Sequence, residues 1–153
     1  PSAFVLRVSR EKAEAVADGL QPRGGGTWVL AGDTIVVLGE AVLGKPEDEA
    51  HARRMLEQLQ NRRHEVITGI CLLNRTQAVC RLEAVRTQVW MGRIAPEDMD
   101  AYIRTGEPFD KAGGYAIQGH GGRFVRKIEG SYSNVVGLPV ERLGELFRVY
   151  GIR

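Results

Sequence analysis

Five glycines fall within the sixteen residues 110–125, which restricts this part of the chain to tight turns or very close backbone approaches. Glycine adopts backbone angles that strain other residues, and its lack of a Cβ lets main-chain N–H groups come close to a ligand. Gln118 lies inside the run, and its amide can both donate and accept hydrogen bonds, as reading the edge of a base requires. Such a run is more often a set of turns and strand crossings than a ligand loop, so other segments must decide.

Length and composition predict one soluble globular domain. The chain has 153 residues, of which 43% are hydrophobic and 26% charged, enough to bury one sizeable core. The longest apolar stretches have the length of strands and no secretory signal is present, so we expect no membrane association and a cytoplasmic location. A net charge of +2 does not indicate nucleic-acid binding.

Hydrophobic periodicity predicts helices and strands that alternate along the chain. The first helix is predicted over residues 3–17, with Phe4, Val5, Val8, Ala15 and Val16 facing the core, and Gly24 to Gly26 are predicted to form a loop. Further helices are predicted from Pro46 to about Gln60, between Pro96 and Gly106, and from Pro139 onward. Strands are predicted at 28–31, 34–38, 64–73, 77–91, 115–118, 123–128 and 134–138. The pattern is typical of one mixed α/β domain without a linker.

The two cysteines lie in successive predicted strands. A symmetric hairpin centred on residues 74–77 would place Cys71 opposite Cys80, so a disulfide is geometrically conceivable. Two cysteines in a chain of this composition are more often reduced, small apolar residues, and we favour that interpretation.

Five ordered segments carry a resemblance to the Maf family. They are Arg10-Glu11-Lys12-Ala13, Gly32-Asp33-Thr34-Ile35-Val36-Val37, Gly44-Lys45-Pro46, Gly106-Glu107-Pro108 through Gln118-Gly119, and Ile128 through Pro139. The resemblance spans the whole chain, taken as one domain over 1–153, and implies an α/β mixed-sheet fold akin to that of inosine-triphosphate pyrophosphatases. It also implies a house-cleaning hydrolase that splits nucleoside triphosphates into the monophosphate and pyrophosphate. The family normally opens with a strand and a Ser-x-Ser-Pro-Arg-Arg loop that grips phosphates, whereas this sequence starts at Pro1 in the predicted first helix.

The resemblance assigns the chemistry of hydrolysis to three residues. Asp33 follows an apolar strand and Gly32, and it matches the general base that activates water, with help from Mg²⁺ or Mn²⁺. Taken alone, it would be read as a turn aspartate that hydrogen-bonds its own backbone. Lys12 and Lys45 are the expected cationic contacts to the phosphates; outside the motifs, each would be read as a solvated surface lysine.

Residues around Gln118 are expected to select the nucleotide. Ile117-Gln118-Gly119, together with Thr34, resembles the branch that acts on dTTP and UTP, whereas the branch acting on 7-methyl-GTP typically carries a glutamate in this segment. Lys111 either contacts phosphate or forms an ion pair with Asp110 that pins the loop. The alternatives are a pyrophosphatase for modified purine nucleotides and a division-regulating module that binds nucleotides without turnover. Free nucleoside triphosphates are the expected partners, and the family often forms homodimers.

Overall fold

A five-stranded sheet forms the centre of the computed structural model, which describes residues 1–20 and 26–152. The strands are β1 (Val29–Leu38), β2 (Ala41–Leu43), β3 (Arg63–Asn74), β4 (Val79–Met91) and β5 (Val125–Glu129). The helices are α1 (Ser2–Asp18), α2 (Glu49–Leu59), α3 (Pro96–Arg104), α4 (Tyr132–Val136) and α5 (Val140–Val149). Three 3₁₀ helices, Glu107–Asp110, Ala112–Gly114 and His120–Phe124, lie between α3 and β5.

The order of strands in the sheet is β2-β1-β3-β4-β5. The predicted α/β class is confirmed, but every strand pairing within 1–20 and 26–152 is antiparallel, where a mixed sheet was expected. Short connections explain the direction of two of the four pairings, β1 with β2 and β3 with β4, because neighbours joined by a tight turn run antiparallel. Gly24 and Gly25 of the predicted glycine loop lie outside the described residues.

The two faces of the sheet carry different helices. Successive residues of a strand point to opposite faces, so Ile35 and Val37 share one face of β1 while Val36 lies on the other. Ile35 and Val37 pack with Val5 of α1, whereas Val36 joins the main core with residues of α2 and α3. On that second face Ile70 packs with Leu143 of α5. Helix α1 therefore covers one face, and α2, α3 and α5 cover the other.

The predicted buried side of α1 is wrong in most of its members. Phe4, Ala15 and Val16 are exposed, and the buried residues are Val5, Ser9 and Ala13, which are spaced four apart along one line of the helix. Small side chains at Ser9 and Ala13 let the helix approach the sheet closely. Hydrophobicity alone favoured the larger residues and missed this contact.

Two predicted strands are turns and helix instead. Residues 115–118 form no strand: Tyr115 is extended, but the chain turns at Ile117 and Gln118, and Gly113 and Gly114 adopt positive φ angles of 73° and 71° that break any extended path into the segment. Residues 134–138 were predicted as a strand, but Tyr132–Val136 is a helix whose N-cap, Ser131, accepts a hydrogen bond from the Asn134 N–H. The remaining predicted strands are present, with 28–31 and 34–38 merged into β1.

The β3–β4 hairpin has a different register from the symmetric one predicted. Cys71 pairs with Leu82, and Cys80 pairs with Leu73, so the two cysteines are not directly opposite. Both are free thiols, with Cys71 buried and Cys80 exposed. Burial and the neighbouring Cys80 raise the pKa of the Cys71 thiol to about 12. The reduced state favoured from the sequence is the one seen.

Helix α1 touches β3 at Gly69. The Ser9 hydroxyl lies 2.8 Å from the Gly69 carbonyl oxygen, and a Cβ at Gly69 would lie 2.5 Å from the Val5 carbonyl oxygen. Backbone atoms cannot yield as a flexible side chain does, so the absence of a Cβ sets the distance between α1 and the sheet.

Gly69→Ala is expected to lower the free energy of unfolding by about 2 kcal/mol, because the added methyl group forces α1 away from β3. Urea denaturation measures the loss. Gly144→Ala in α5 is the control, since a Cβ there meets nothing within 4 Å and alanine favours a helix. Equal stability of the two variants would contradict this account of the helix contact.

Candidate active site

Lys12 and Asp33 form an ion pair between α1 and β1. The Lys12 Nζ lies 2.7 Å from the Asp33 Oδ1 and 3.4 Å from the Gly32 carbonyl oxygen. The Lys12 side chain is 51% exposed and that of Asp33 is 20% exposed, so both can reach a ligand. The Asp33 Oδ2 accepts no hydrogen bond from the described residues. The structure thus brings together two of the residues predicted for catalysis.

The sequence suggested that Asp33 follows the end of a strand, but the structure does not place it there. It lies in the middle of β1, paired with Gly69 of β3, because the strand continues through Gly32 and Thr34. On the other side of β1, strand β2 pairs only with Val36–Leu38. Within the described residues, the edge of β1 beside Asp33 is therefore unpaired and open.

Two adjoining cavities lie near this edge. The first, the Thr34 cavity, has a volume of about 210 Å³, and the second, the Gln118 cavity, about 390 Å³. Tyr115 and Lys111 line both, so the two cavities adjoin at these residues. Thr34 points away from the α1 face because it follows Asp33 along the strand. The predicted residues are thus divided between two faces of the sheet, with Lys12 and Asp33 on one and Thr34, Lys45, Lys111 and Gln118 on the other.

The first cavity carries two lysines with different surroundings. Lys45 is exposed and makes no hydrogen bond or ion pair with the described residues. The Lys111 Nζ donates to the Asp110 Oδ2 over 2.9 Å, so the predicted loop ion pair is present. This hydrogen bond, with a smaller contribution from the charge of Lys45, lowers the pKa of Asp110.

Helix α2 begins later than predicted. Pro46 is not its first residue; the helix starts at Glu49 after an Asp48 N-cap whose carboxylate accepts from the His51 N–H. Pro46 is buried in the preceding loop, where Gly44 accepts a hydrogen bond from the Gly113 N–H over 2.9 Å. Lys45 is therefore positioned by contact with the glycine run and not by the helix N-terminus.

The Thr34 side chain is held in place by β3, because its hydroxyl lies 2.8 Å from that of Thr68.

Gln118 lies at the tip of an exposed turn, residues 116–119, which we call the Gln118 turn. The Gly119 N–H donates to the Ala116 carbonyl and closes it. The Gln118 amide is exposed, and it has no hydrogen-bond partner among the described residues. It lines the larger cavity with donor and acceptor both available.

Glu107 occupies the space that the glycines leave open. Its carboxylate accepts hydrogen bonds from the Tyr102 hydroxyl over 2.8 Å, the His120 N–H over 2.8 Å and the Gly121 N–H over 3.0 Å. A Cβ at Gly119 would overlap this carboxylate, and one at Gly121 would lie 2.7 Å from the Tyr102 hydroxyl oxygen. These glycines therefore bring the backbone close to protein groups, where the sequence suggested approach to a ligand.

Comparison with known proteins places the chain in a family. A family model described as Maf-like protein matches residues 1–150. The chain belongs to the Maf family. A protein named dTTP/UTP pyrophosphatase from Anaeromyxobacter dehalogenans (strain 2CP-C) is 51% identical over 153 residues, covering 99% of this chain and 75% of the relative.

Proteins of the same name occur in more distant bacteria. The one from Geotalea uraniireducens (strain Rf4) is 46% identical over 151 residues, and the one from Clostridioides difficile (strain 630) is 43% identical over 150 residues. These matches cover 99% and 98% of this chain, and 76% and 75% of the respective relatives. The resemblance to the Maf family is confirmed.

The described carboxylates of this Maf-family chain fit a metal ion that needs few protein ligands. Over 1–20 and 26–152, no group of three or more His, Cys, Asp or Glu side chains is placed to hold an ion. Mg²⁺ at phosphate sites is commonly held through one or two carboxylates, with substrate oxygens and water completing the shell. Asp33 can supply one carboxylate oxygen, so the site fits an ion that takes its other ligands from bound phosphate and water.

No helix within residues 1–20 and 26–152 is long and apolar enough to cross a membrane.

Sequence reasoning missed a buried pair, His64 and Tyr115, beside the Thr34 and Gln118 cavities of this Maf-family chain. The His64 Nε2 lies 2.7 Å from the Tyr115 hydroxyl oxygen, and burial lowers the pKa of His64 to about 4. Burial also raises the pKa of Tyr115. The signal for Tyr115 was its place within the glycine run, but its partner lies 51 residues earlier in the chain.

Proposed function

We propose that this chain is a nucleoside triphosphate pyrophosphatase of the Maf family that prefers dTTP and UTP. The observation that carries the proposal is the Asp33 carboxylate at the open edge of β1, with one oxygen held by Lys12 and the other free. The relatives named dTTP/UTP pyrophosphatase support the reaction and the substrate class.

The free oxygen of Asp33 is suited to accept a proton from water. A general base must lie within hydrogen-bond reach of the proton it removes, and Asp33 Oδ2 has no competing donor among the described residues. Lys12 orients the carboxylate through Oδ1. We infer that water activated at Oδ2 attacks the phosphorus next to the ribose and that pyrophosphate leaves.

The charge of the leaving pyrophosphate requires cations. Lys45 lines the Thr34 cavity and makes no hydrogen bond or ion pair with the described residues, and Lys111 can reach phosphate by exchanging its bond to Asp110. We infer that the triphosphate crosses the open edge of β1, so that it meets Lys12 on one face and Lys45 on the other. A divalent ion carried with the phosphates would supply further neutralisation of their charge.

Gln118 is assigned to the base. Its free amide can accept from N3–H and donate to a carbonyl of uracil or thymine, while its turn lines the larger cavity. We expect kcat/KM to rank dTTP and UTP above GTP. Gln118→Glu is expected to erode this preference by about 1 to 3 kcal/mol, because a carboxylate cannot donate to the base carbonyl.

Hydrolysis of dTTP, UTP, GTP and 7-methyl-GTP by both proteins measures that preference. Gln58→Glu, the same change on the exposed side of α2, is the control and should leave the ranking unaltered. Preferred cleavage of 7-methyl-GTP by the unaltered protein would instead support the purine alternative. Binding of dTTP without release of pyrophosphate in the presence of Mg²⁺ or Mn²⁺ would support a nucleotide-binding module.

We also propose a cytoplasmic location and a homodimer. The substrates are free cytoplasmic nucleotides, and the family often forms dimers. Sedimentation of the purified protein tests the assembly.

A further inference from the structure

The Gln118 turn is tied at both ends to a pair of residues outside it. At its start, the Ala116 N–H donates to the Tyr102 hydroxyl oxygen over 3.3 Å. Beyond its end, the His120 and Gly121 N–H groups donate to the Glu107 carboxylate. The Tyr102 hydroxyl donates to the same carboxylate, so one hydrogen-bonded pair closes a ring around the turn.

This pair stands on the rigid part of the fold. Tyr102 lies in α3, is buried, and packs edge to face on Phe124 with ring centroids 5.4 Å apart. Glu107 follows Gly106, whose N–H donates to the Ile103 carbonyl at the end of α3. The side chains of Tyr102 and Glu107 therefore fix the position of the exposed turn relative to the core.

The hydrogen bonds to Glu107 require an ionised carboxylate at this position. Burial by itself raises the pKa of Glu107, but hydrogen bonds from Gly121, His120 and Tyr102 outweigh burial and lower it overall. The carboxylate is consequently ionised at neutral pH and accepts three bonds at once. An amide in its place would turn an N–H₂ group toward at least one of these donors.

We propose that Glu107 is a positioning residue for nucleotide selection, which holds the Gln118 amide at the depth in the cavity where it meets the edge of a pyrimidine. This inference rests on the proposed function for the identity of the ligand. A base-reading group on a loose turn binds correct and incorrect bases more equally, because the turn can move to suit either. Loss of the Glu107 bonds should thus reduce selectivity more than the rate of the chemical step.

The test compares the wild-type protein with Glu107→Gln and with a matched control, Glu65→Gln. Glu65 also accepts two side-chain hydrogen bonds, from Arg86 and Gln88, but lines neither cavity. Hydrogen exchange of residues 116–122 without nucleotide reports the turn. The ratio of kcat/KM for dTTP to that for GTP reports selection.

In Glu107→Gln, we expect exchange at His120 and Gly121 to accelerate at least about 10-fold and the dTTP preference to fall about 10-fold, chiefly through KM for dTTP. Glu65→Gln should change neither quantity. Faster exchange with an unchanged preference, or unchanged exchange, would overturn the inference.

Tyr102→Phe provides a second variant in case Glu107→Gln does not fold. It keeps the ring on Phe124 but removes the hydroxyl that joins Glu107 to Ala116. We expect a smaller loss of preference, about 3-fold, and full retention would overturn the inference.

If the wild-type protein binds dTTP without cleaving it, the proposed reaction is wrong but the inference about Glu107 is still testable. The ratio of dissociation constants for dTTP and GTP then replaces the kinetic ratio. Equal wild-type affinity for the two nucleotides would then overturn the inference as well.

Discussion

Asp33→Asn is expected to reduce kcat for dTTP hydrolysis by about 10² or more, equivalent to about 2.7 kcal/mol in the activation barrier. The amide nearly matches the carboxylate in shape but cannot accept a proton from water. Its fold should persist, since the contact of Asp33 with Lys12 is a single partly exposed ion pair that contributes little stability. Release of pyrophosphate at saturating dTTP and metal measures the change.

The matched control for this substitution is Asp18→Asn. Asp18 is an exposed carboxylate at the end of α1 that also pairs with a cation, Arg75, and it lines neither the Thr34 cavity nor the Gln118 cavity. Its replacement should leave kcat within about 2-fold of the wild-type value. Comparable turnover by Asp33→Asn and Asp18→Asn would remove Asp33 from the mechanism.

The stability of the protein is expected to fall by about 3 kcal/mol between pH 6.5 and pH 4 because of His64. The His64 side chain is 2% exposed, and burial lowers its pKa from 6.5 to about 4 in the folded state. Within this pH range the unfolded chain binds a proton at His64 and the folded chain does not. Protonation therefore favours unfolding as the pH falls, and the full contribution of neutral His64 is present only above about pH 6.5.

Urea denaturation at a series of pH values measures this loss for the wild-type protein and His64→Gln. Glutamine can still meet the Tyr115 hydroxyl but does not ionise, so its stability should vary less with pH by about the stated amount. His51→Gln, the same substitution at the start of α2 outside the core, is the control with which the slope of His64→Gln is compared. Identical slopes for wild type and His64→Gln would show that another group causes the acid sensitivity.

Local sequence signals were sufficient for the elements that bury a regular stripe. Helix α2 was expected to end near Gln60 and ends at Leu59, and its buried residues Ala52, Met55, Leu56 and Leu59 are spaced three and four apart. Helix α3 was expected between Pro96 and Gly106, and it ends at Arg104. Such elements follow from spacing because each side of a helix is defined by residues three and four apart.

The segments that were predicted wrongly depend on contacts between distant residues or on special backbone angles. Residues 134–138 have the composition of a strand, but the Asn134 side chain donates to the Val66 carbonyl and to the Thr87 hydroxyl, which holds a short helix against β3 and β4. These partners lie 68 and 47 residues away in the chain. No local pattern reports them.

The sequence by itself determined the family, because ordered motifs carry residue type and spacing, and it supplied the groups that we propose for the site: the carboxylate of Asp33, the ammonium groups of Lys12 and Lys45, and the amide of Gln118. Only the tertiary structure decided how these groups are arranged. Alternation along β1 places Asp33 and Thr34 on opposite faces, and the short β2 leaves the edge between them open. Packing also decided why Gly119 and Gly121 are needed, since a Cβ at Gly119 would overlap the carboxylate of Glu107 and one at Gly121 would crowd the hydroxyl of Tyr102.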